Sequence, residues 1–440
     1  MPILKVSLRY LLRYLLLAVL VLGLCLTWRA VLAQDSPVCR PEDFGALVDG
    51  QHKDTAAIQA AIAQCASSGG TVLLSGGTYL SAPIFLPSRV TLKVESGSIL
   101  RGSQDFKDYR LPDDLETDLS RITYLSLVNA TDATDIAITG QGIIDGAGQP
   151  WWEMEFQARR DGLPETRRPR LITLTRCQRI RVQDITLTNS PSFHLVPTFS
   201  DDIVIRNIKI LAPDESPNTD GIDPIACHRV QIIRCRIDTG DDHIAIKAGG
   251  VDPNFPDRGS EDITVRQCTF LHGHGMAIGS GTRRGVRRVL VEDCRFRGGK
   301  HGIRIKSGRD RGGEVSQIIY RNLIMEDMGD DISITTYYPD VPATDEYQPI
   351  ADLTPTFHDI IITNLVAKGA NQAGAIVGLP EKPLFNITLN QIQIEAAAGL
   401  RVRDAMIQTD DVLIQAERGE AIVFERGGRL RDAETTGMLR

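Results

Sequence analysis

The chain has 440 residues, with 49 Lys or Arg against 56 Asp or Glu and a formal net charge of −7 at pH 7. This acidic balance argues against nucleic acid as a partner, because phosphate binding requires a basic surface. Aromatic residues make up only 5% of the chain, which also excludes broad stacking platforms for bases or sugars.

The N-terminal segment, residues 1–33, is typical of a secretory signal peptide. Basic residues precede an apolar run at residues 14–28, and small residues ending at Ala33 fit a cleavage site. An uncleaved membrane anchor is the alternative, but the run is shorter than the ~20 apolar residues that cross a bilayer. We therefore expect a secreted or periplasmic protein, without stable membrane association, whose single domain spans residues 34–440.

The start of the predicted mature chain carries a disulfide candidate and a helix. Cys39 and Cys65 flank a short segment, and an oxidising compartment favours a bond between them. Residues 54–65 predict a helix with Asp54 as its N-cap and an apolar face beginning at Ile58. We expect this helix to cap the repetitive stretch that follows, because the end coil of a solenoid otherwise exposes its hydrophobic cross-section.

A six-residue pattern recurs through residues 182–394: an apolar residue, two mostly polar ones, then Ile, Leu or Cys, and a further apolar residue two positions on. This alternation is typical of a β-strand, and the repeats lie 23 to 42 residues apart. Short strands at that period, separated by Gly, Asn and Asp turns, predict an all-β, right-handed parallel β-helix with one coil per repeat. The central, inward-facing residues would be Ile185, Ile208, Cys235, Cys268, Cys294, Leu323, Leu365 and Ile392.

The remaining cysteines do not have the spacing of a zinc site. Cys235, Cys268 and Cys294 hold equivalent positions in successive repeats and are interpreted as a buried ladder. The odd number left beside the disulfide implies at least one free thiol. After residue 415 the pattern is lost, which predicts an edge strand and a frayed end.

Four short polar clusters interrupt the repeats at intervals of 21 to 33 residues. Because coils of this period stack on one another, the clusters are expected on one outer face. They supply three carboxylates, one imidazole and two fixed cations, which points to a hydrolytic site for an acidic polymer. The clusters are Asn218-Thr219-Asp220, Gly240-Asp241-Asp242, Gly273-His274-Gly275 and Arg304-Ile305-Lys306.

The carboxylates have the arrangement that glycosidic cleavage requires. Asp220 and Asp241 are 21 residues apart and adjacent strands ~4.8 Å apart, so we expect them to be neighbours. A bend at Gly240 would turn both Asp241 and Asp242 outward, because burying an unpaired carboxylate is costly. Crowding should raise the pKa of at least one carboxyl. A protonated carboxyl beside an ionised one provides an acid for the leaving oxygen and a base for water.

The segments NTDGID (218–223), GDDHIAIKAG (240–249), GHGMAIGSG (273–281) and RIKSG (304–308), in this order, resemble the polygalacturonases of glycoside hydrolase family 28. The resemblance begins at DFGALVDG (43–50) and covers most of the mature chain. It implies a right-handed β-helix that hydrolyses α-1,4 galacturonosyl linkages of pectin with inversion and without a metal. The implied partner is an acidic polysaccharide, and we expect a monomer.

The resemblance also implies a role for each polar residue. Asp241 would be the general acid, and Asp220 and Asp242 would hold and activate the water. His274 would support the protonation of the acid. The implied substrate-binding residues are Asn218, Arg304, Lys306 and Tyr338, with Tyr337 as the alternative tyrosine.

The sequence departs from the family pattern at His243, where Cys is frequent, and at Phe193-His194, where an aromatic pair is common. A basic loop with Arg283, Arg284, Arg287 and Arg288 could extend the positive lining of the site. Long insertions at residues 101–125 and 147–170 are candidates for blocking one end of the cleft, so endo and exo action both stay open.

Three other functions fit parts of the sequence. A β-helix lyase would use an Arg or Lys base beside calcium held by several acidic residues. Here there are three acidic residues, and they are paired with His274. A non-catalytic β-helix adhesin or binding module would not need an acid, a base and a histidine together. A related hydrolase of rhamnogalacturonan or xylogalacturonan would share the catalytic aspartates.

Overall fold

The computed structural model describes residues 37–111 and 121–431, so the predicted signal peptide and the predicted frayed end beyond residue 431 lie outside the described residues. The strands stack as parallel coils, which confirms the right-handed parallel β-helix. Each complete coil contributes to three longitudinal stacks of strands. Within the described ranges, no helix is long and apolar enough to cross a membrane.

The first stack runs the length of the molecule, and each strand pairs in parallel with the strand of the next coil. Its strands are β1 (Val38–Cys39), β3 (Gly70–Leu74), β6 (Val90–Val94), β9 (Thr134–Thr139), β12 (Gln178–Gln183), β15 (Asp201–Arg206), β17 (His228–Ile233), β20 (Ser260–Arg266), β23 (Val286–Glu292), β26 (Glu314–Glu326), β28 (Thr356–Ala370), β30 (Leu384–Arg403), β31 (Ala405–Phe424) and β32 (Arg429–Leu430).

The second stack consists of shorter strands that follow those of the first stack around a corner. It merges into the first in the C-terminal coils, where β26, β28, β30 and β31 serve both stacks. The separate strands are β2 (Asp49–Lys53), β4 (Thr78–Ser81), β7 (Ile99–Gly102), β10 (Ile143–Asp145), β13 (Thr186–Thr188), β16 (Lys209–Leu211), β18 (Arg236–Asp238), β21 (Thr269–Phe270) and β24 (Arg295–Arg297).

The third stack completes each coil. Its two halves are joined by isolated bridges from Ile222 to Leu195 on one side and to Ile244 on the other. Its strands are β5 (Ile84–Phe85), β8 (Val128–Thr131), β11 (Ile172–Thr175), β14 (Leu195–Thr198), β19 (Ile244–Ile246), β22 (Met276–Gly279), β25 (His301–Lys306), β27 (Asp330–Thr335) and β29 (Gln372–Val377).

The interior is filled by ladders of aliphatic side chains at matched positions. Ile180 of β12 pairs with Ile203 of β15, which pairs with Val230 of β17, and all three are almost completely buried. β-Branched residues suit these positions because their stiff side chains pack well on a pleated surface. The eight predicted central residues are also buried, at most 2% exposed, as expected.

A residue in the left-handed backbone conformation marks the corner between the first and second stacks. The six positions turn this corner: in the earlier coils they are divided between two strands, as β12 ends at Gln183 and β13 begins at Thr186, whereas β26 continues through the corner. Asn and Asp tolerate positive φ better than most residues, which explains their frequency at the third position. The corner residues, with φ between 52° and 61°, are Asp184, Asn207, Arg234, Gln267, Asp293, Asn322, Asn364 and Gln391.

The cysteine ladder has the predicted position in the core. Cys235, Cys268 and Cys294 are buried and unbonded, and the Cys235 amide donates to Cys268 Sγ at 3.4 Å. A hydrogen bond with Cys268 and burial raise the pKa of Cys235 well above its usual value. Such thiols stay protonated, so the ladder acts as apolar packing.

Two α-helices lie outside the stacks, α1 (Thr55–Ala66) and α2 (Gln149–Arg160), with 3₁₀ turns at Pro41–Phe44 and Phe106–Tyr109. Helix α1 buries the predicted apolar face against the first coils. Asp54 occupies the N-cap position, but it makes no capping hydrogen bond. Its carboxylate instead accepts from the amides of Leu47 (2.7 Å) and Val48 (3.2 Å), so the predicted cap interaction is wrong.

The two ends of the described β-helix are secured differently. Cys39 and Cys65 are bonded as a disulfide that ties β1 to α1. At the other end β31 runs to Phe424 as a full strand, beyond the position where the sequence pattern is lost. The short strand β32 pairs with the start of β31 and is the predicted edge strand.

Candidate active site

The structure brings the predicted site residues together on the outer face of the third stack. Asp220 lies in the segment that continues this stack from β14 to β19. Asp241 and Asp242 precede β19 directly, and His274 precedes β22 one coil later. The two predicted cations belong to β25, in the coil after that. Residues up to 86 positions apart, from Asp220 to Lys306, therefore share one surface because each contributes from an equivalent point of its coil.

Gly240 is required for the turn that presents the Asp pair. A Cβ at this position would lie 2.2 Å from the carbonyl oxygen of Ser216 in the preceding coil. The side chain of Asp241 is 22% exposed and that of Asp242 only 3%. Asp242 is therefore the more enclosed of the two carboxylates, and its neighbours must offset its burial.

Asp242 is held by both predicted substrate-binding cations. Arg304 Nη1 donates to its Oδ1 at 3.0 Å, and Lys306 Nζ donates to its Oδ2 at 2.6 Å. The sequence did not indicate this pairing, because both cations lie more than 60 positions from Asp242. A guanidinium has five N–H donors and an ammonium three, so both cations keep donors for a substrate carboxylate.

Asp220 shares a cation with a carboxylate that sequence reasoning did not assign. Lys247 Nζ lies 3.2 Å from Asp220 Oδ2 and also bonds Asp223. Burial, followed by the negative charge of Asp223, raises the pKa of Asp220 well above its usual value. The expected rise of one carboxyl pKa is therefore found at Asp220.

Asp241 and His274 form a directly bonded pair, with His274 Nδ1 2.9 Å from Asp241 Oδ1. Burial raises the pKa of Asp241, but the hydrogen bond from His274 and the positive charge nearby, including that of Lys306, lower it by more, to well below its usual range. In the substrate-free protein, the carboxyl with the raised pKa is thus Asp220. Asp241, which the resemblance implies as the general acid, has a lowered pKa.

Lys300 extends this pair by one further contact. Its Nζ lies 2.7 Å from His274 Nε2. An ammonium cannot accept a hydrogen bond, so Nε2 accepts and Nδ1 carries the proton that is donated to Asp241. Lys300 therefore selects the tautomer of His274 that faces the acid.

Asn218 is fixed by two arginines from the insertion at residues 147–170. Its Oδ1 accepts from Arg168 Nη2 at 2.6 Å and from Arg159 Nη2 at 3.4 Å. Arg168 is 9% exposed and also donates to the carbonyl oxygens of Pro191 and Pro217. This insertion therefore forms the wall of the cleft on the N-terminal side of Asp220.

The two candidate tyrosines differ in their surroundings. Tyr337 is 6% exposed and donates to Asp345 at 2.5 Å, so its hydroxyl is used in the protein. The Tyr338 ring lies 5.6 Å from Lys306 Nζ and 4.6 Å from the guanidinium carbon of Arg311. Tyr338 is therefore the tyrosine that borders the site.

The basic loop after His274 does not line the cleft as expected. Arg287 and Arg288 lie on β23 in the first stack and pair with the carboxylates of β20, Glu261 and Asp262. Arg284 pairs with Asp257. Arg287 and Arg288 are both exposed on the first stack, because the left-handed conformation of Arg288 (φ 55°) interrupts the alternation of β23, and the spacing from His274 does not reveal this.

The residues that differ from the family pattern are His243 and the pair Phe193-His194. The two histidines lie beneath the site, and Phe193 lies at it. His194 and His243 are completely buried, and burial lowers the pKa of each to about 4. His194 Nδ1 lies 3.0 Å from the backbone carbonyl oxygen of Asp220, so it supports the turn that carries this carboxylate. Phe193, in contrast, faces the cleft beside Lys247.

The residues Asp241, Asp242 and His274 offer ligand atoms that all lie within 4.8 Å of one another, the spacing of a metal site. The donor set does not favour a cation, however. Both oxygens of Asp242 accept from Arg304 and Lys306, and a metal ion would be placed beside these fixed positive charges. The electrostatics therefore agree with the expectation of catalysis without a metal.

A parallel β-helix that gathers three carboxylates and a histidine beside two cations has the architecture and the chemical groups of a glycoside hydrolase. The chain belongs to the glycosyl hydrolases family 28, whose family model matches residues 78–412. It is 34% identical over 372 residues to "Probable polygalacturonase" of Vitis vinifera, with 81% of this chain and 74% of the relative covered. It is 29% identical to an "Endo-polygalacturonase" of Pectobacterium carotovorum subsp. carotovorum, over 80% of this chain and 87% of that one.

Solved structures of the same family share the fold along most of the chain. The exopolygalacturonase from Thermotoga maritima aligns with a TM-score of 0.73 and 26% identity, covering 89% of this chain and 92% of that one. The polygalacturonase from Erwinia carotovora ssp. carotovora aligns with a TM-score of 0.68 and 26% identity, covering 91% and 98%. Both endo- and exo-acting enzymes are therefore among the proteins that this chain resembles.

Proposed function

We propose that the protein hydrolyses α-1,4 galacturonosidic linkages of pectin by an inverting acid–base mechanism. The observation that carries the proposal is the separation of two carboxyl units on one face. Asp241 is paired with His274, while Asp220 and Asp242 are each held by cations. One unit can deliver a proton to the leaving oxygen while the other holds the attacking water.

Asp241 serves as the general acid, together with His274. In the substrate-free protein this pair holds the Nδ1 proton between an imidazole and an ionised carboxylate. An anionic sugar bound next to Asp241 raises the pKa of this carboxyl, because a like charge and the loss of water both disfavour its ionised form. Substrate binding thus favours the protonated acid at the moment when a leaving oxygen is present.

Asp220 and Asp242 hold the water. A raised pKa makes the Asp220 carboxylate a stronger base toward the proton of that water. Lys247 keeps Asp220 oriented, and Arg304 and Lys306 do the same for Asp242. The unused donors of these two cations bind the substrate carboxylate, with the ring of Tyr338 beside them and Asn218 at the opposite wall.

The proposed setting is a secreted or periplasmic monomer that acts on an acidic polysaccharide, without a metal or other cofactor. The predicted signal peptide supports the compartment, and the cationic cleft in an acidic chain supports the substrate class. Nucleic acid and a membrane are not proposed as partners.

The test compares polygalacturonan, rhamnogalacturonan and xylogalacturonan as substrates for the purified full chain. We expect new reducing ends on polygalacturonan first, with no rise in ultraviolet absorbance and no loss of rate on adding a chelator. An ultraviolet-absorbing product would indicate a lyase, and a preference for either branched polymer would indicate a related hydrolase. No reaction on any of the three would favour a binding module.

A further inference from the structure

An aromatic ring with two cations beside it occurs on each side of the catalytic carboxylates. On the C-terminal side the Tyr338 ring lies near Lys306 and Arg311. On the N-terminal side the Phe193 ring lies 4.4 Å from Lys247 Nζ and 5.6 Å from the guanidinium carbon of Arg170. Phe193 and Arg170 belong to adjacent coils of the third stack, as the Leu171 amide donates to the carbonyl oxygen of Phe193.

Arg170 differs from its neighbours in having hydrogen-bond donors to spare. The guanidinium of Arg168 is used by Asn218 and by the carbonyl oxygens of Pro191 and Pro217. Lys247 is used by two carboxylates. Among residues 37–111 and 121–431, the half-buried side chain of Arg170 donates no hydrogen bond to another residue. A partly desolvated guanidinium without an acceptor is costly, and a bound anion would offset that cost.

The space beside Arg170 is large enough for a sugar. A cavity of about 450 Å³ is lined by Arg168, Arg170, Ser192, Phe193 and Asn218, together with Arg167 and Glu165 at its rim. A second cavity of about 380 Å³ continues from it past Arg170 along β8 and β11. The Phe193 ring that lines this space lies 4.4 Å from Lys247 Nζ, which bonds Asp220, so the space adjoins the active-site cleft.

We propose that Arg170 and Phe193 form a second carboxylate-binding subsite, which holds a uronate residue of the polymer on the Asp220 side of the cleaved bond. Arg170 donates two parallel hydrogen bonds to the sugar carboxylate, and the Phe193 ring packs against the apolar face of the same sugar. Lys306 and Arg304 hold a carboxylate on the other side. The inference rests on the proposed function, because the ligand is a segment of the acidic substrate.

Arg170→Met tests the subsite, because it removes the charge and retains an unbranched side chain. Arg206→Met is the matched control, as Arg206 is an exposed arginine at the end of β15 in the first stack. For galacturonate oligomers long enough to reach both sides of the cleaved bond, we expect Arg170→Met to raise KM about tenfold with little change in kcat, whereas Arg206→Met behaves as the wild type. Tenfold corresponds to ~1.4 kcal/mol, within the range of one charge-assisted contact.

Two further arms separate binding from folding. Methyl-esterified oligomers lack the carboxylate, so their KM should be the same for the wild type and Arg170→Met. Arg170→Lys keeps the charge but not the bidentate geometry, and we expect a KM increase of about threefold. If Arg170→Met does not fold, the KM of Arg170→Lys is compared with that of the wild type instead.

The outcomes distinguish this inference from the proposed function. If the wild type cleaves polygalacturonan and Arg170→Met matches Arg206→Met in KM, the subsite is refuted while the proposed function stands. An equal KM increase on free and esterified oligomers would also refute it, because it would show that Arg170 only supports the wall of the cleft. A wild type inactive on every uronate polymer would refute the proposed function first.

Discussion

The three carboxylates of the cleft are chemically identical, and their surroundings distinguish them. Asp241 accepts from His274, Asp242 accepts from Arg304 and Lys306, and Asp220 is buried next to another carboxylate. Hydrogen bonds and cations favour the ionised form, whereas burial and like charge favour the protonated form. The pKa of Asp220 is thereby raised and that of Asp241 lowered.

Replacement of the acid should affect turnover far more than binding. Asp241→Asn keeps the shape of the side chain but cannot transfer a proton, so we expect kcat on polygalacturonan to fall at least ~10²-fold. KM should change little, because Asp241 is not a cation that holds the substrate. The measurement is a steady-state rate with melting temperature as the folding control, and near wild-type turnover would remove Asp241 from the role of acid.

Lys306→Ala tests the assignment of the substrate carboxylate. The variant should weaken binding of acidic oligomers by ~1.5–3 kcal/mol, the value of a hydrogen bond to a charged group, and affect the methyl-esterified polymer much less. Because Lys306 also bonds Asp242, kcat is a necessary second readout. Equal losses on both polymers would assign Lys306 to supporting Asp242 alone.

Asp331 makes the free energy of unfolding depend on pH, and this effect is separate from catalysis. It is completely buried in β27 without a hydrogen-bond partner for either carboxylate oxygen, and burial raises its pKa to about 8. Between pH ~4 and ~8 the folded protein holds a proton that the unfolded chain has released, so stability falls as pH rises by up to ~1.4 kcal/mol per unit.

Asp331→Asn should remove this dependence, because the amide mimics the protonated acid. Thermal unfolding at about pH 5 and about pH 8 is expected to show a smaller loss of melting temperature in the variant than in the wild type. Asp330→Asn, one position away and half-exposed, is the control. An identical loss in all three proteins would contradict a protonated Asp331.

The motif residues of the site were predictable, whereas their partners were not. Asp220, Asp241, Asp242 and His274 recur at the coil period, and the alternation of the strand places Arg304 and Lys306 on one face. Lys247 and Asp223 lie within the same motifs as the site residues, and this proximity in sequence was a signal that could have found them. Lys300 and Arg168 had no such signal, because their contacts depend on how loops from other coils fold over the cleft.

At the scale of elements, the coil is the unit that carries both stability and function. Its inward positions form ladders, one corner needs a left-handed residue, and its third strand ends at the cleft. The period and the inward residues could be predicted because burial selects apolar side chains at every second position. The corner could not, because positive φ leaves only a weak preference for Asn or Asp, and Arg234 and Gln267 also adopt it.

The N-terminal cap should depend on its disulfide. The bond between Cys39 and Cys65 spans a sequence separation of 26, for which the loop-entropy model gives a stabilisation of ~3.5 kcal/mol. We expect the Cys39→Ser, Cys65→Ser double variant to unfold at lower urea concentration and to be cleaved faster by protease within the cap. A reductant should reproduce this effect in the wild type and leave the double variant unchanged; equal urea midpoints would contradict a stabilising bond.

At the scale of the whole molecule, the distribution of charge matters more than its sum. The chain is acidic overall, yet Arg170, Lys247, Arg304 and Lys306 lie along one cleft on the outer face of the third stack. Many other arginines are neutralised at short range, as Arg176 is by Asp132 and Asp252. A polymer with one carboxylate per sugar is therefore attracted to the cleft and not to the surface in general.

The arrangement of the cleft also predicts the stereochemistry of cleavage. Retention requires a carboxylate that attacks the sugar directly, but Asp241 is engaged with His274 and both oxygens of Asp242 are engaged with cations. Asp220 is held by Lys247 and its side chain is only 5% exposed, so it is not free to attack the sugar directly. Carboxyl pairs ~6.5–9.5 Å apart are usual for inversion, and neighbouring strands ~4.8 Å apart would by distance alone suggest retention.

We nevertheless expect inversion, so that hydrolysis of the α-linkage first releases the β-anomer. Proton NMR of the new reducing end at early times measures this, and an initial α-anomer would contradict the mechanism.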